Sequence, residues 1–234
     1  MRILEAALTV SHVSRCAHWF ATTLELPVTR RDERAEVTLG RSLLVLETGP
    51  PSTGRHHLAF SVRPEDFEAV LAFARSALDV IRAGDSDVVD GAEGWDSRSV
   101  YFRGPEGLVL EYIAREAHRG RHPAGDATGA PAVLSLNEVG IGVADVPDAV
   151  DRLSRWPDLP AYPPQTADFA PVGDPDGLLV LATPDRTWFP TDHDRPSTGP
   201  LTVTVAGTGT GSHEGELRIG EHTTVRQHRR WPLS

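Results

Sequence analysis

Residues 4–10 alternate in character. Leu4, Ala6, Leu8 and Val10 fall on one side, and Glu5, Ala7 and Thr9 on the other, the period-two signature of a strand with one buried face. Ser11 then stands where a helix N-cap is wanted. The apolar residues that follow, Val13, Cys16, Ala17, Phe20 and Leu24, recur at helical spacing, and Pro27 marks the stop. Two further strands are predicted at 35–39 and 42–47, joined through Gly40-Arg41. The unit reads strand, helix, then two or three strands.

The pattern then restarts. Residues 57–62 put Leu58, Phe60 and Val62 on one face and His57, Ala59 and Ser61 on the other. Pro64 suits the first turn of a helix whose stripe is Phe67, Val70, Leu71 and Ala74. Strands at 99–102 and 108–113 flank Gly104-Pro105-Glu106-Gly107, which suits a hairpin with a type I turn. Residues 116–131, rich in Gly, Ala, His and Arg without periodicity, read as a linker. A third unit begins at Glu138-Val139-Gly140-Ile141-Gly142-Val143, which resembles Glu5 to Val10. It has a helix at 146–153 and a hairpin, Asp174-Pro175-Asp176-Gly177, that copies the earlier one. A fourth unit, with strands at 201–205 and 216–219, leaves no room for a good helix.

Composition narrows the function classes. A chain of 234 residues can bury a real core as one large or two small domains. The net charge of −10 argues against a nucleic-acid surface, and the one basic cluster, Arg226 with His228, Arg229 and Arg230, reads as a solvated tail. No run of about 18 apolar residues can span a bilayer, and no secretory signal is recognisable, so a cytoplasmic protein, monomer or homodimer, is expected. Cys16 is the only cysteine, which excludes an intrachain disulfide. Every basic side chain of the Lys/Arg class is arginine, which excludes a Schiff-base lysine. A Ser-His-Asp triad, a phosphate-cradling glycine loop and paired CxxC motifs are absent.

Three stretches in order resemble the vicinal-oxygen-chelate superfamily, which includes glyoxalase I, extradiol dioxygenases, fosfomycin-resistance transferases, methylmalonyl-CoA epimerase and metal-free bleomycin-binding proteins. They are Ile3-Leu4-Glu5-Ala6-Ala7-Leu8-Thr9-Val10, His57-Leu58-Ala59-Phe60, and Gly104-Pro105-Glu106-Gly107-Leu108-Val109-Leu110-Glu111. The likeness is good over 1–115 and looser over 132–190. It implies an α+β fold of tandem βαβββ modules forming half-open mixed-sheet cups. The first domain would be 1–115, with two modules and the metal site, followed by the 116–131 linker and a degenerate second domain at 132–234. The family's metal positions fall on Glu5, Glu47, His57 and Glu111. The sequence departs from the family at Glu5, where His or Gln is usual, and at Gly104, where the hairpin usually begins with Asp.

Strand parity supports those positions. Leu4 and Ala6 flank Glu5, Leu58 follows His57, and Leu110 and Tyr112 flank Glu111, so each candidate points away from the helices, into the cup. Carboxylates gathered there would repel one another, and a divalent cation removes that cost. One imidazole with two or three carboxylates suits Mn, Zn, Ni, Fe or Mg. Taken singly, each of these residues also fits a solvated strand end or a hydrogen-bonded histidine. His56 is a fallback ligand whose parity points it toward the helices. Leu181 occupies the place of Glu111 in the third unit and no histidine matches His57 there, so that half is expected to have lost the site. Trp95, Arg98 and Tyr101 are candidate substrate contacts, or core aromatics in the case of Trp95 and Tyr101. Trp188-Phe189-Pro190 reads as an apolar plug, and Thr191-Asp192-His193-Asp194 as a solvated turn.

The expected function is a metal-dependent lyase or isomerase acting by Lewis-acid chelation of a small oxygenated substrate, with Glu5 or Glu47 as general base. The alternatives are a metal-free, ligand-sequestering protein with the same cup, and an extradiol-type dioxygenase, which needs two histidines where only one is obvious.

Overall fold

The computed structural model describes residues 1–50, 52–122, 129–206 and 214–228. The first unit is β1 (Arg2–Val10), α1 (Val13–Thr23), β2 (Val28–Arg31), β3 (Arg34–Leu39) and β4 (Ser42–Thr48). The second is β5 (His57–Val62), α2 (Phe67–Ala77), the short β6 (Val80–Ile81) and β7 (Val89–Asp90), β8 (Ser97–Arg103) and β9 (Val109–Arg115). The third is β10 (Ser135–Gly142), α3 (Val146–Arg155), β11 (Phe169–Asp174) and β12 (Gly177–Ala182), and the fourth is β13 (Leu201–Ala206), β14 (Gly215–Arg218) and β15 (Thr223–His228). The fold is α+β, with two mixed sheets and three α-helices among the described residues.

The pairing of units does not follow their order along the chain. One sheet runs β14-β15-β13-β1-β4-β3-β2, uniting the first unit with the fourth. The other runs β11-β12-β10-β5-β9-β8-β6, with β7 also on β8, uniting the second with the third. Each sheet therefore takes strands from both sides of 116–131, and that segment does not divide one sheet from the other. Residues 123–128 of it lie outside the described residues. Its start is packed: His118, in a single turn at Glu116–His118, is buried between Ser61 Oγ (3.2 Å from Nδ1) and Asp176 Oδ1 (3.0 Å from Nε2).

The helix stripes meet one continuous core. Phe20, Phe67, Ala74, Val146 and Leu153 pack with the inward residues of both sheets, including Leu8, Leu46, Phe60, Leu110, Val139 and Leu181. Ser42 stitches the sheets, donating to the Ile3 carbonyl at 2.7 Å and accepting from the Leu136 amide at 3.0 Å. Among the described residues no helix is long and apolar enough to cross a membrane.

Two local expectations change. Ser11 is not the cap of α1: His12 holds that position without a side-chain bond, and the Ser11 and His12 amides both donate to the Glu106 carboxylate at 2.8 Å. A side chain 94 residues away in sequence supplies the acceptors that a local cap would. Nor is the Gly104–Gly107 turn type I, because its second central residue, Glu106, takes φ 54°, whereas type I keeps both central residues at negative φ. The left-handed backbone at Glu106 aims its carboxylate at α1. In the third unit Asp145 caps α3, accepting from the Asp148 amide at 2.9 Å.

Candidate metal centre

The sheet of the second and third units brings three neighbouring strands, β9, β5 and β10, into register at Ala59. Ala59 pairs with Glu111 on one side and with Glu138 on the other, so the two carboxylates rise on either side of a methyl group. His57, two residues along the same face, completes the group. Its Nε2 lies 3.4 Å from Glu111 Oε2 and 3.9 Å from Glu138 Oε2. All three residues are buried, and their ligand-type atoms lie within 4.8 Å of one another. A larger residue at 59 would hold the acids apart.

The imidazole is oriented from behind. His57 Nδ1 is 3.2 Å from the Val109 carbonyl oxygen, which can only accept, so Nδ1 carries a proton and Nε2 is the nitrogen turned to the carboxylates. Burial pulls the His57 pKa down, but the attraction of the neighbouring Glu111 and Glu138 carboxylates outweighs it and holds the value up at about 9. Without another cation, His57 is thus protonated at neutral pH. Glu138 is shared: its Oε1 accepts from Nη2 of fully buried Arg115, whose Nε donates to Asn137 Oδ1 at 2.8 Å. Glu111 Oε2, by contrast, has no hydrogen-bond partner.

Aromatic rings wall the group. Tyr101, opposite Glu111 on β8, stacks on His57 with centroids 6.0 Å apart. Burial first, then the charges of Glu111 and Glu138, push the Tyr101 phenol well above its usual range. Trp188 lies 5.4 Å from the His57 ring and donates to the Arg55 carbonyl at 2.8 Å. It rests on Gly140, where an added Cβ would stand 2.7 Å from the indole and 2.9 Å from His57 Cβ. Trp95 lies over the Arg115 guanidinium, 5.0 Å from centroid to Cζ.

Of the expected site residues, the structure brings together His57 and Glu111, with Tyr101 and Trp95 on the same face. It does not bring Glu5 or Glu47 to them. Glu5 lies in the other sheet, opposite Thr204. Glu47 is half-exposed at the end of β4, where it pairs with Arg34 at 3.2 Å. Arg98 projects to the helix side, bonded to Glu68 at 2.9 Å and lying 4.4 Å over the Phe67 ring. His56 also faces away from the site, with Nε2 3.2 Å from Ser197 Oγ, and burial lowers its pKa to about 4. The expected plug is half right in placement: Trp188 is buried, whereas Phe189 is 58% exposed. In the acidic turn Asp192 and His193 are exposed, but Asp194 is buried and ion-paired with Arg103 and Arg55.

The third unit has not dropped out of the site. It supplies Glu138, the residue whose strand resembles the one carrying Glu5. Leu181 is not the counterpart of Glu111 either. In β9 the ligand stands two residues beyond the partner of His57, and two beyond Leu178, the partner of Glu138, is Val180. The two hairpins look alike in sequence, yet Arg103 pairs with Val109 across five residues and Asp174 with Gly177 across two. That difference shifts β12 by one residue and turns Leu181 into the core and Val180, packed with Val109 and Trp188, toward the cup.

Two donors on one ion about 2.1 Å from each can stand no more than about 4.2 Å apart. The His57–Glu111 and His57–Glu138 separations satisfy that limit. A ring nitrogen backed by a carbonyl on its far side is the usual dress of a metal-bound histidine, and the orphaned Glu111 oxygen gives a third donor with nothing to hold. The residues fit a divalent ion.

No family model and no curated protein matches the sequence. Solved structures do match in shape. A putative dioxygenase from Bacillus subtilis subsp. subtilis str. 168 aligns with TM-score 0.62 and 11% identity over 98% of this chain and 86% of that one. Glyoxalase I from Zea mays aligns with TM-score 0.58 and 13% identity over 97% and 92%. Likeness at such identity is likeness of architecture: this chain has the fold of those dioxygenase and glyoxalase structures.

Proposed function

We propose that the protein is a metal-dependent enzyme of the lyase or isomerase kind, with His57, Glu111 and Glu138 as its divalent-metal ligands. The observation that carries this reading is the convergence of two buried carboxylates and one oriented imidazole on a face that Ala59 leaves open. When bound, the ion would act as a Lewis acid for a small substrate with neighbouring oxygens. The chain's own residues prepare the place. Val109 and Arg115 fix the donor atoms of His57 and Glu138. Tyr101, held protonated, presents a hydroxyl donor beside the reacting oxygens, and Trp188 and Trp95 exclude water.

The solved relatives include both a glyoxalase I and a putative dioxygenase. The donor set favours the first kind of chemistry: iron oxygenases of the facial-triad type use two histidines, and the second histidine here, His56, faces the other way. A metal-free ligand-binding protein is the competing reading, supported by charge, since protonated His57 and Arg115 already balance the two acids. Metal analysis after incubation with Mn, Ni or Zn separates them. The account expects one ion per chain, lost in a His57→Ala/Glu111→Ala double variant; negligible uptake by the natural protein overturns it.

A further inference from the structure

Arg115 is fully buried, and only part of its hydrogen-bonding capacity is used. The side fork of the guanidinium, Nε with Nη2, is filled by Asn137 and Glu138. Nη1 has no partner. Directly opposite on β8 stands Ser97, also buried, whose Oγ has no partner either. Buried polar groups are nearly always satisfied, and an unmet donor on a charged group is the most costly kind. The two residues occupy paired positions on the face that carries Glu111, with Arg115 beneath Trp95, and both keep hydrogen-bonding capacity that the protein itself does not use.

The chemistry of the pair follows from charge. Nη1 can only donate, and a serine hydroxyl can donate beside it, which together suit an anionic oxygen pair. The metal form of the centre calls for the same thing: two carboxylates cancel a divalent ion, neutral His57 adds nothing, and Arg115 leaves one positive charge over in a site closed to water. The reach is short, because Glu138 places one oxygen on Arg115 and turns the other to His57. The guanidinium and the imidazole are one carboxylate apart.

We propose that Arg115 Nη1 and Ser97 Oγ form a carboxylate subsite, so that the enzyme takes small, flat, oxygen-chelating acids, bound by their oxygens at the His57 end and by their carboxylate at the Arg115 end. This rests on the metal reading above. The Tyr101 and Trp188 rings beside His57 favour a planar body between the two ends.

The test compares two probes that differ only in the anion, 3,4-dihydroxybenzoate and 3,4-dihydroxybenzamide, titrated calorimetrically into the zinc-loaded full-length protein, with zinc content measured for every variant. The natural protein is expected to prefer the acid by about tenfold or more, the worth of one charged hydrogen bond. Arg115→Gln should erase that preference and Ser97→Ala should reduce it. Should Arg115→Gln lose zinc by freeing Glu138, Ser97→Ala decides. Equal affinities for the two probes in zinc-loaded natural protein, or a preference that survives Ser97→Ala and Arg115→Gln undiminished, overturns the subsite alone. Failure of the natural protein to take up zinc overturns the metal reading, and this inference with it.

Discussion

The two sheets are built on one plan, and among the described residues only one of them gathers a group of potential metal ligands. In both, the first strand of one unit runs antiparallel to the first strand of another, with a register shift just before a glutamate, at Glu138 in one sheet and Glu5 in the other. Opposite Glu138 is Ala59; opposite Glu5 is Thr204. Two residues before Ala59 stands His57, and two before Thr204 stands Thr202. The next strand offers Glu111 beside Ala59 but Arg226 beside Thr204. Arg226 is half-exposed and paired with Glu216. Among the described residues Glu5 therefore has a cation on the strand beyond Thr204 in place of a second acid, and it belongs to no His/Cys/Asp/Glu group that could hold a metal. A site on this fold needs several positions to agree, and a glutamate at one of them means little alone.

The comparison is broken most sharply by removing donors one sheet at a time. Glu111→Gln and His57→Ala should each weaken zinc binding by more than about 100-fold, above the range for losing an outer-shell partner. Glu5→Gln and Glu47→Gln should leave it within about twofold, since neither touches the group. Zinc titration against a competing chelator reads both. Equal losses from the two sheets would show that the wrong face has been assigned.

A smaller effect is expected at Ala59. Ala59→Leu fills the space over which Glu111 and Glu138 converge, and overpacking at such a position costs about 1–3 kcal/mol. Zinc affinity should fall about tenfold or more while circular dichroism stays native. Thr204→Leu, the matching change in the other sheet, should leave zinc binding unchanged.

The pH dependence of the metal-free protein is weaker again. The His57 pKa is held at about 9, above its ordinary value near 6.5. The stability this contributes is fully present below about pH 6.5 and is lost as pH rises through about 9. Urea melts of metal-free protein should therefore show a stability loss from pH 7 to 9 that Glu111→Gln diminishes. A curve identical in the variant would detach the imidazole from its acid. The smallest change concerns the cap: Glu106→Ala should cost about 1 kcal/mol, as loss of an N-terminal acceptor does, with zinc affinity unaltered. A shift in zinc affinity there would show that the hairpin reaches the site.

Much of this was legible along the chain because side-chain direction in a strand has period two. That parity separates His57 from His56 and aligns Glu111 with the cup, whatever the strands pair with. Partner choice is a different matter. Nothing in the order of the repeats says that the second unit pairs with the third and the first with the fourth, so Glu138 was visible as the twin of Glu5 without its role following. Val180 was hidden by a turn: similar hairpin sequences close over loops of different length, and one residue of slip exchanges core and cup. Arg115 closes β9 beside a segment that reads as a linker, where burial of a guanidinium has no sequence signal. Arg98, one residue out of phase with Tyr101, shows parity working against an expectation made from proximity alone.

The central claim is that His57 exchanges a proton for a metal ion between Glu111 and Glu138. Calorimetric zinc titration at pH 7 in two buffers of different ionisation enthalpy measures it directly. With the imidazole pKa at about 9, the account predicts one zinc per chain and release of about one proton per ion. Zinc uptake without proton release, or no uptake at all, would contradict it.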